Sequence, residues 1–297
     1  MGVLWCMPRA RSRRVLGALL VSASFMTLAG PAEAKTTCAP SPFRQRKPLV
    51  IAHASSTHFG PGNTVEMLRA AVRAGADVVD ADVRVTVDGV LVAAHDDSLQ
   101  AVTGTTGAIS KMTYAQLMRH DLGDSWQGPK GNFPMKGKNI RIPTIEQVLA
   151  SFPDRLTSLE FKVTGGEKNM CELLRRINRT KNVYISSAGD AAIDNFKPIC
   201  PEVVTTVTDA MVLDMRAARS DPNSTWCSPV PIGQPPYRAA RPTKDFVTWN
   251  HDHGLAVFTW TIDDAKTLKK LAKSGVDAVY TGRADLARKI FDKEFEN

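Results

Sequence analysis

Gly75-Ala76-Asp77-Val78-Val79-Asp80-Ala81-Asp82-Val83-Arg84-Val85-Thr86-Val87-Asp88-Gly89-Val90-Leu91-Val92-Ala93-Ala94-His95-Asp96 is the stretch on which the fold turns. Asp88-Gly89 between two β-branched runs is the signature of a two-residue hairpin. With Asp88 and Gly89 as the turn, residues pair when their numbers sum to 177, which predicts Asp82 opposite His95. Directly opposite side chains stand about 4.5–5.5 Å apart at Cβ. Local geometry alone therefore sets a carboxylate beside an imidazole. Asp80 and Asp82 are two residues apart on an extended run, so both point to one face.

Outward from the hairpin, short β-branched runs alternate with helical patterns, as in a parallel sheet with crossover helices. The strand candidates are 49–53, 78–83, 90–95, 159–163, 183–187, 203–207, 228–232, 255–261 and 278–281. That is one run more than an eight-stranded barrel needs, and a hairpin arm outside the barrel accounts for the surplus. Helices are expected over 64–74, with Asn63 as N-cap, over 144–150 after Pro143, and over 263–273 with Gly275 as C-cap. The predicted fold is α/β: a TIM-like (β/α)8 barrel with a β-hairpin insertion near residues 78–96. The Pro- and Gly-rich stretch 219–242 reads as a long loop.

Polar residues gather where the apolar strands end, which is where barrels build their active sites. His53 ends the first run, Asp80 and Asp82 stand near the end of the second, and His95-Asp96 closes the hairpin arm. Glu160 and Lys162 share a face of the 159–163 strand. Three carboxylates make an oxygen-rich site suited to Mg²⁺ or Ca²⁺ rather than zinc. Two histidines supply acid and base groups near neutral pH, and a lysine supplies a fixed positive charge for an anion. Metal, acid, base and cation together are what phosphodiester cleavage requires. Asp96 could orient His95 or bond a backbone turn.

In their order these residues resemble a known family. His53, Asn63-Thr64, Gly75 to Val83, Thr86-Val87-Asp88-Gly89 and His95-Asp96 form a block similar to that of glycerophosphodiester phosphodiesterases. Softer matches follow at Gly107 to Leu117, Gly123 to Trp126, Ile142-Pro143-Thr144, Leu159 to Lys162, Trp260-Thr261 and Gly275-Val276-Asp277, spanning about residues 48–290. The resemblance implies a TIM barrel of the phospholipase C-like phosphodiesterase superfamily. It implies His53 and His95 as the acid/base pair, and Asp80, Asp82 and Glu160 as ligands of one divalent cation, Ca²⁺ or Mg²⁺. Lys162 and Trp260 are implied as substrate-binding residues. The implied reaction cleaves a small-molecule glycerophosphodiester to glycerol 3-phosphate and an alcohol, through attack of the neighbouring glycerol hydroxyl and a cyclic phosphate.

Three positions depart from the pattern. Ala54 stands where the family usually has Arg, Gly62 where it has Glu, and Asp80 where the first carboxylate is usually Glu. A missing guanidinium bears on phosphate binding, because a bidentate contact is not easily replaced. His58, in the same loop as Ala54, is either a surface residue or a contributor to the phosphate site. Two other functions remain open at this point. One is a phospholipase D-like enzyme acting on lipid headgroups, with Trp126 and Phe133 near the lipid. The other is a degenerate barrel that binds a phosphorylated ligand without turnover.

Residues 1–34 read as an export signal. Arg9, Arg11, Arg13 and Arg14 precede the mostly apolar run 15–30, and Ala32-Glu33-Ala34 is a small-x-small cleavage site. The expectation is a secreted protein cut near Ala34, with residues 35–297 as a single barrel domain. The run is short for a membrane span, no stop-transfer pattern follows, and no other segment is apolar enough to cross. The net charge is +8, of which +3 lies in residues 1–34, leaving +5 for the remainder. That mild excess suits anionic substrates. The chain shows no basic run with interleaved aromatics of the kind that argues for nucleic acid. Cys38, Cys171, Cys200 and Cys227 remain after the signal, with no CxxC spacing for zinc, so up to two disulfides with three possible pairings are expected. Cys200 and Cys227 each precede a strand-like run, which favours that pair.

Overall fold

The computed structural model describes residues 37–104 and 106–296. The export-signal expectation falls on residues outside this range. Nine strands form: β1 Leu49–Ala52, β2 Val78–Val85, β3 Leu91–Ala93, β4 Thr157–Phe161, β5 Val183–Ser187, β6 Val204–Thr205, β7 Ile232–Gly233, β8 Ala256–Thr259 and β9 Ala278–Thr281. Eight of them are parallel, in the order β6-β5-β4-β2-β1-β9-β8-β7. A parallel bridge between Thr206 and Ile232, with Val207 N donating to Ile232 O at 3.0 Å, brings the two ends together. The result is a nearly closed eight-stranded barrel. The surplus strand is the hairpin arm β3, antiparallel to β2, as expected.

One longer helix follows each barrel strand: α1 Val65–Arg73, α2 Ile145–Ser151, α3 Glu167–Arg176, α4 Asp190–Ile199, α5 Asp209–Ser220, α6 Lys244–Asp252, α7 Ala265–Ser274 and α8 Ala284–Phe295. Side chains of Thr64, Thr144, Thr208, Thr243 and Asp264 cap α1, α2, α5, α6 and α7 by accepting from backbone N–H groups of the first turn. Each such cap stabilises by about 1 kcal/mol. The expected cap of α1 was one residue early. Thr64 does that work, while Asn63 takes a left-handed φ of 57° that frees its side chain for another task. The 219–242 stretch is not one loop: α5 runs into it, and β7 and a short helix at 237–240 divide the rest.

Side chains alternate across each strand, and the two sets meet different surroundings. One set packs under the helices, with Val50, Val79, Ala81, Leu159, Val257 and Val279 in the main core. The other fills the barrel interior. Ile51, Val78, Tyr184, Phe258 and Ala278 make its apolar part, and Phe43 sets its ring edge-on against both Tyr184 and Phe258 at 6.4 Å. Toward the C-terminal ends the same faces turn polar: Val78 gives way to Asp80 and Asp82 on β2, and Ser158 to Glu160 on β4. Residues 94–144 form an insertion with its own small core around Leu99, Ile109, Leu117 and Ile142.

The hairpin register differs from the expectation. Val83 pairs with Ala93, Arg84 with Val92 and Val85 with Leu91, so the sums are 176. Gly89 N donates to Thr86 O and Thr86 N to Val90 O, and Gly89 sits at φ 78°. The loop is thus three residues, Val87 to Gly89, with the glycine as a bulge in the left-handed region. Asp82 consequently faces Ala94, whose N–H donates to Asp82 O at 2.9 Å, and His95 lies one residue beyond.

The disulfides are Cys38–Cys227 and Cys171–Cys200, not Cys200–Cys227. Cys171 on α3 faces Cys200 at the end of the neighbouring α4, and Cys227 meets the segment that leads into β1. Constraint of the unfolded chain gives such bridges about 2–4 kcal/mol. The double substitution Cys171→Ser with Cys200→Ser is expected to lower stability by that amount, read as a shift in the denaturant midpoint under non-reducing conditions. An unchanged midpoint would contradict it.

Candidate active site

Parallel pairing of β2 with β4 sets Asp82 beside Glu160 and Asp80 beside Ser158, all facing the barrel interior near the C-terminal rim. Lys162, just past β4, reaches back with its Nζ 2.8 Å from Glu160 and 3.2 Å from Asp82. Burial works against the ammonium charge, yet the two carboxylates raise its pKa. His53 follows β1, its N–H donating to Thr281 O across the β1–β9 pair. Burial depresses its pKa, partly offset by Asp82 and Asp263, with Lys162 and His95 adding to the depression. His53 thus lies within electrostatic reach of Asp82, Lys162, His95 and Asp263. His95, exposed on the hairpin arm, bonds through Nδ1 to Asp96 Oδ1 at 2.9 Å. Of the two roles open to Asp96, the geometry gives it that of orienting the imidazole.

The two buried aspartates are held from several sides. Asp80 Oδ2 accepts from Ala54 N at 3.0 Å. Asp82 Oδ2 accepts from Asn63 Nδ2 at 2.7 Å and Ser55 Oγ at 2.9 Å, and Asn63 Oδ1 accepts from Asp82 N at 2.9 Å. This is the task for which Asn63 leaves the cap position. Beneath Asp80, Ser158 Oγ meets Tyr280 Oη at 3.2 Å, which in turn meets Tyr184 Oη at 2.8 Å. Desolvation, then the neighbouring Asp82, pushes the Asp80 pKa well above the ordinary carboxylate range, with Glu160 adding to it. Its Oδ1 is buried with no hydrogen-bond partner among the described residues.

That orphaned oxygen is the fit test for a metal. A buried acceptor left unpaired beside a second carboxylate costs free energy unless a cation answers it. Asp80, Asp82 and Glu160 offer only oxygens, the donor set of Mg²⁺ or Ca²⁺, and the Lys162 ammonium already bridges two of them. The residues present fit a divalent cation. The cluster Cys171, Cys200 and Glu202, which also brings potential ligands together, is excluded because its sulfurs form a disulfide.

Of the remaining sequence candidates, Trp260 is 45% exposed, with its indole N–H donating to Gln234 O at 2.9 Å. Trp126 donates its indole N–H to Thr57 O at 2.9 Å, tying the insertion to the loop after β1, whereas Phe133 is exposed. A cleft of about 480 Å³ opens beside His53, walled by Ser55, Ser56, His58, Asp263 and Arg283. Sequence reasoning passed over Asp263 and Arg283. The one available signal was their position just past the β8 and β9 runs.

Carboxylates, imidazoles and a lysine thus stand at the C-terminal rim of a (β/α)8 barrel. The family follows from comparison: residues 53–286 match the glycerophosphoryl diester phosphodiesterase family, and the chain belongs to it. A glycerophosphodiester phosphodiesterase of Caldanaerobacter subterraneus subsp. tengcongensis is 26% identical over 250 residues, covering 79% of this chain and 94% of that protein. Among solved structures, a glycerophosphoryl diester phosphodiesterase domain from Mycobacterium tuberculosis superposes with TM-score 0.72 at 19% identity, over 82% of this chain and 98% of that one. A phosphodiesterase of Oleispira antarctica in complex with sn-glycerol-3-phosphate superposes with TM-score 0.64 at 22% identity, over 83% and 97%. These structures share the fold.

Proposed function

We propose that this chain hydrolyses glycerophosphodiesters to glycerol 3-phosphate and an alcohol, with one divalent cation, Ca²⁺ or Mg²⁺, held by Asp80, Asp82 and Glu160. The observation that carries the proposal is the orphaned, buried Asp80 oxygen beside Asp82 and Glu160, at the rim that also carries His53 and Lys162. Family membership and the glycerol 3-phosphate bound to the Oleispira antarctica protein support the substrate class.

When bound, the cation withdraws charge from the phosphoryl oxygens. The chain's own residues do the rest. Lys162 adds a fixed positive charge beside the same carboxylates. The neighbouring glycerol hydroxyl attacks phosphorus and loses its proton to one of the two imidazoles. The other imidazole protonates the departing alkoxide, and water then opens the cyclic diester with the proton movements reversed. His53 suits such exchange because burial lowers its pKa and so favours the neutral imidazole. His95 is held at Nδ1 by Asp96, which leaves Nε2 for the substrate. Trp260 lends an exposed indole face to the substrate. Residues 35–297 act as one domain after export and cleavage near Ala34.

The test is release of glycerol 3-phosphate from glycerophosphoethanolamine and glycerophosphocholine by metal-loaded and chelator-treated protein. Activity that appears with Mg²⁺ or Ca²⁺ and vanishes on chelation is expected. No product from any diester with either ion ends the proposal. Export is checked separately, by sequencing the N-terminus of protein recovered from the medium, which should begin at Lys35.

Asn63 gives a further expected outcome. Asn63→Ala removes both bonds to Asp82 and leaves a non-glycine residue at positive φ. Loss of such a supporting contact typically weakens metal affinity about 10–100-fold. Titration of the metal-free protein with Mg²⁺ reads this, and unchanged affinity would remove Asn63 from the site. Exposed Phe133 favours a second substrate, intact lipid. Faster turnover on lysophospholipid vesicles than on water-soluble diesters would decide for it.

A further inference from the structure

The cleft beside His53 lies on the side of β1 away from the carboxylates. In the sheet order β4-β2-β1-β9-β8, Glu160, Asp82 and Asp80 stand on the β4 and β2 side, and the cleft on the β9 and β8 side. His53 sits between. A diester with its phosphorus at the carboxylates and next to His53 therefore sends one ester arm toward the cleft.

The cleft wall has a definite chemistry. Asp263 Oδ1 is fixed by Thr281 Oγ1 at 2.9 Å and Gly282 N at 2.7 Å. Its Oδ2 has no hydrogen-bond partner among the described residues. Arg283, on the same wall, is held by a carboxylate in the first turn of α8: Nε and Nη2 each donate to Asp285 at 2.9 Å, and Asp263 adds a weaker attraction. Asp263 is the one carboxylate among the lining residues, and among the described residues no cationic side chain bonds it directly. Ser55, Ser56 and Thr57 add hydroxyls to the same lining, whose rings are the His53 and His58 imidazoles. Gly282 keeps the wall open, because a Cβ there would come within 2.5 Å of Ser56 Oγ.

We propose that this cleft is the subsite for the alcohol arm and that Asp263 selects alcohols bearing a primary ammonium group. An ammonium with three N–H donors can bond a carboxylate oxygen and hydroxyls at once. A quaternary ammonium has no donors and is held by Trp, Tyr or Phe faces, none of which is among the lining residues. A neutral polyol leaves the Asp263 charge unanswered. The inference rests on the proposed function above and adds the headgroup to it.

The experiment compares kcat/KM of the metal-loaded protein for glycerophosphoethanolamine, glycerophosphocholine and glycerophosphoglycerol. Wild type should favour the ethanolamine ester about five- to tenfold over the other two, the scale of one charge-assisted bond at a partly exposed site. Asp263→Asn, which keeps an acceptor for Thr281 and Gly282, should bring the three values together. So should salt at about 1 M, where screening reaches about 3 Å, and that arm needs no variant. Equal values in wild type, or a preference that survives both Asp263→Asn and salt, overturn the proposal. Calorimetric binding of O-phosphoethanolamine against phosphocholine reads the same preference without turnover. A protein that hydrolyses none of the diesters yet binds the first ligand more tightly sinks the proposed function while sustaining the subsite; equal binding sinks the subsite.

Discussion

His53→Ala and His95→Ala are each expected to lower kcat about 10²–10⁴-fold, the range set by positioned acid–base groups, with a much smaller change in KM. Their supports differ, and so should the lesser variants around them. His53 is gripped by the barrel itself, its backbone tied to Thr281 and its buried imidazole within electrostatic reach of Asp82, Lys162 and Asp263. His95 hangs from the hairpin arm, exposed; Arg84 Nε donates to its carbonyl at 2.9 Å, and among the described residues its imidazole is hydrogen-bonded by Asp96 alone. Asp96→Asn, which weakens that grip without removing the imidazole, should therefore cost less than His95→Ala and shift the pH profile on the side governed by His95. Steady-state kinetics on glycerophosphoethanolamine across pH reads both. Either alanine variant retaining wild-type kcat would remove that imidazole from the chemistry.

The facing of the rim carboxylates and Lys162 was legible because a strand's two-residue alternation is visible in sequence. Asp80-Ala81-Asp82 and Glu160-Phe161-Lys162 each declare a polar face and an apolar one, and the barrel needs only to aim the polar faces inward. Register was harder. A single left-handed residue, Gly89, adds one position to the hairpin loop and moves His95 from opposite Asp82 to one step beyond. Asp-Gly suits either loop length, so local sequence does not separate them. The disulfides failed for a related reason: Cys171 and Cys200 meet because α3 and α4 pack side by side, a fact of helix placement that the spacing of neither cysteine reveals. Asp263 and Arg283 lie more than two hundred residues from His53 and reach it only because β9 closes against β1. Histidine itself is an ambiguous sign. His251 is spent on the buried Asp277 at 2.7 Å, a structural pairing with no place in the site.

Asp80→Asn is expected to move two measurements in opposite directions. Asp80 is buried beside Asp82, and desolvation together with that neighbour raises its pKa, so its ionised form strains the metal-free protein. Asparagine keeps an acceptor for the Ala54 N–H and carries no charge. The metal-free variant should therefore unfold at a higher temperature, by about 2–4 °C for each kcal/mol relieved in a domain of roughly this size. The orphaned Oδ1 is also the atom with nothing to do except meet a cation, and an amide answers a divalent ion far less well than a carboxylate. Mg²⁺ or Ca²⁺ should then bind more than tenfold more weakly, and diester hydrolysis should fall to the level of chelated wild type. A buried carboxylate serving only the fold gives the opposite pairing, with stability lost and metal response kept. Thermal scans with and without Mg²⁺ separate the two: wild type rises in melting temperature on adding the ion, while Asp80→Asn starts higher and stays where it is.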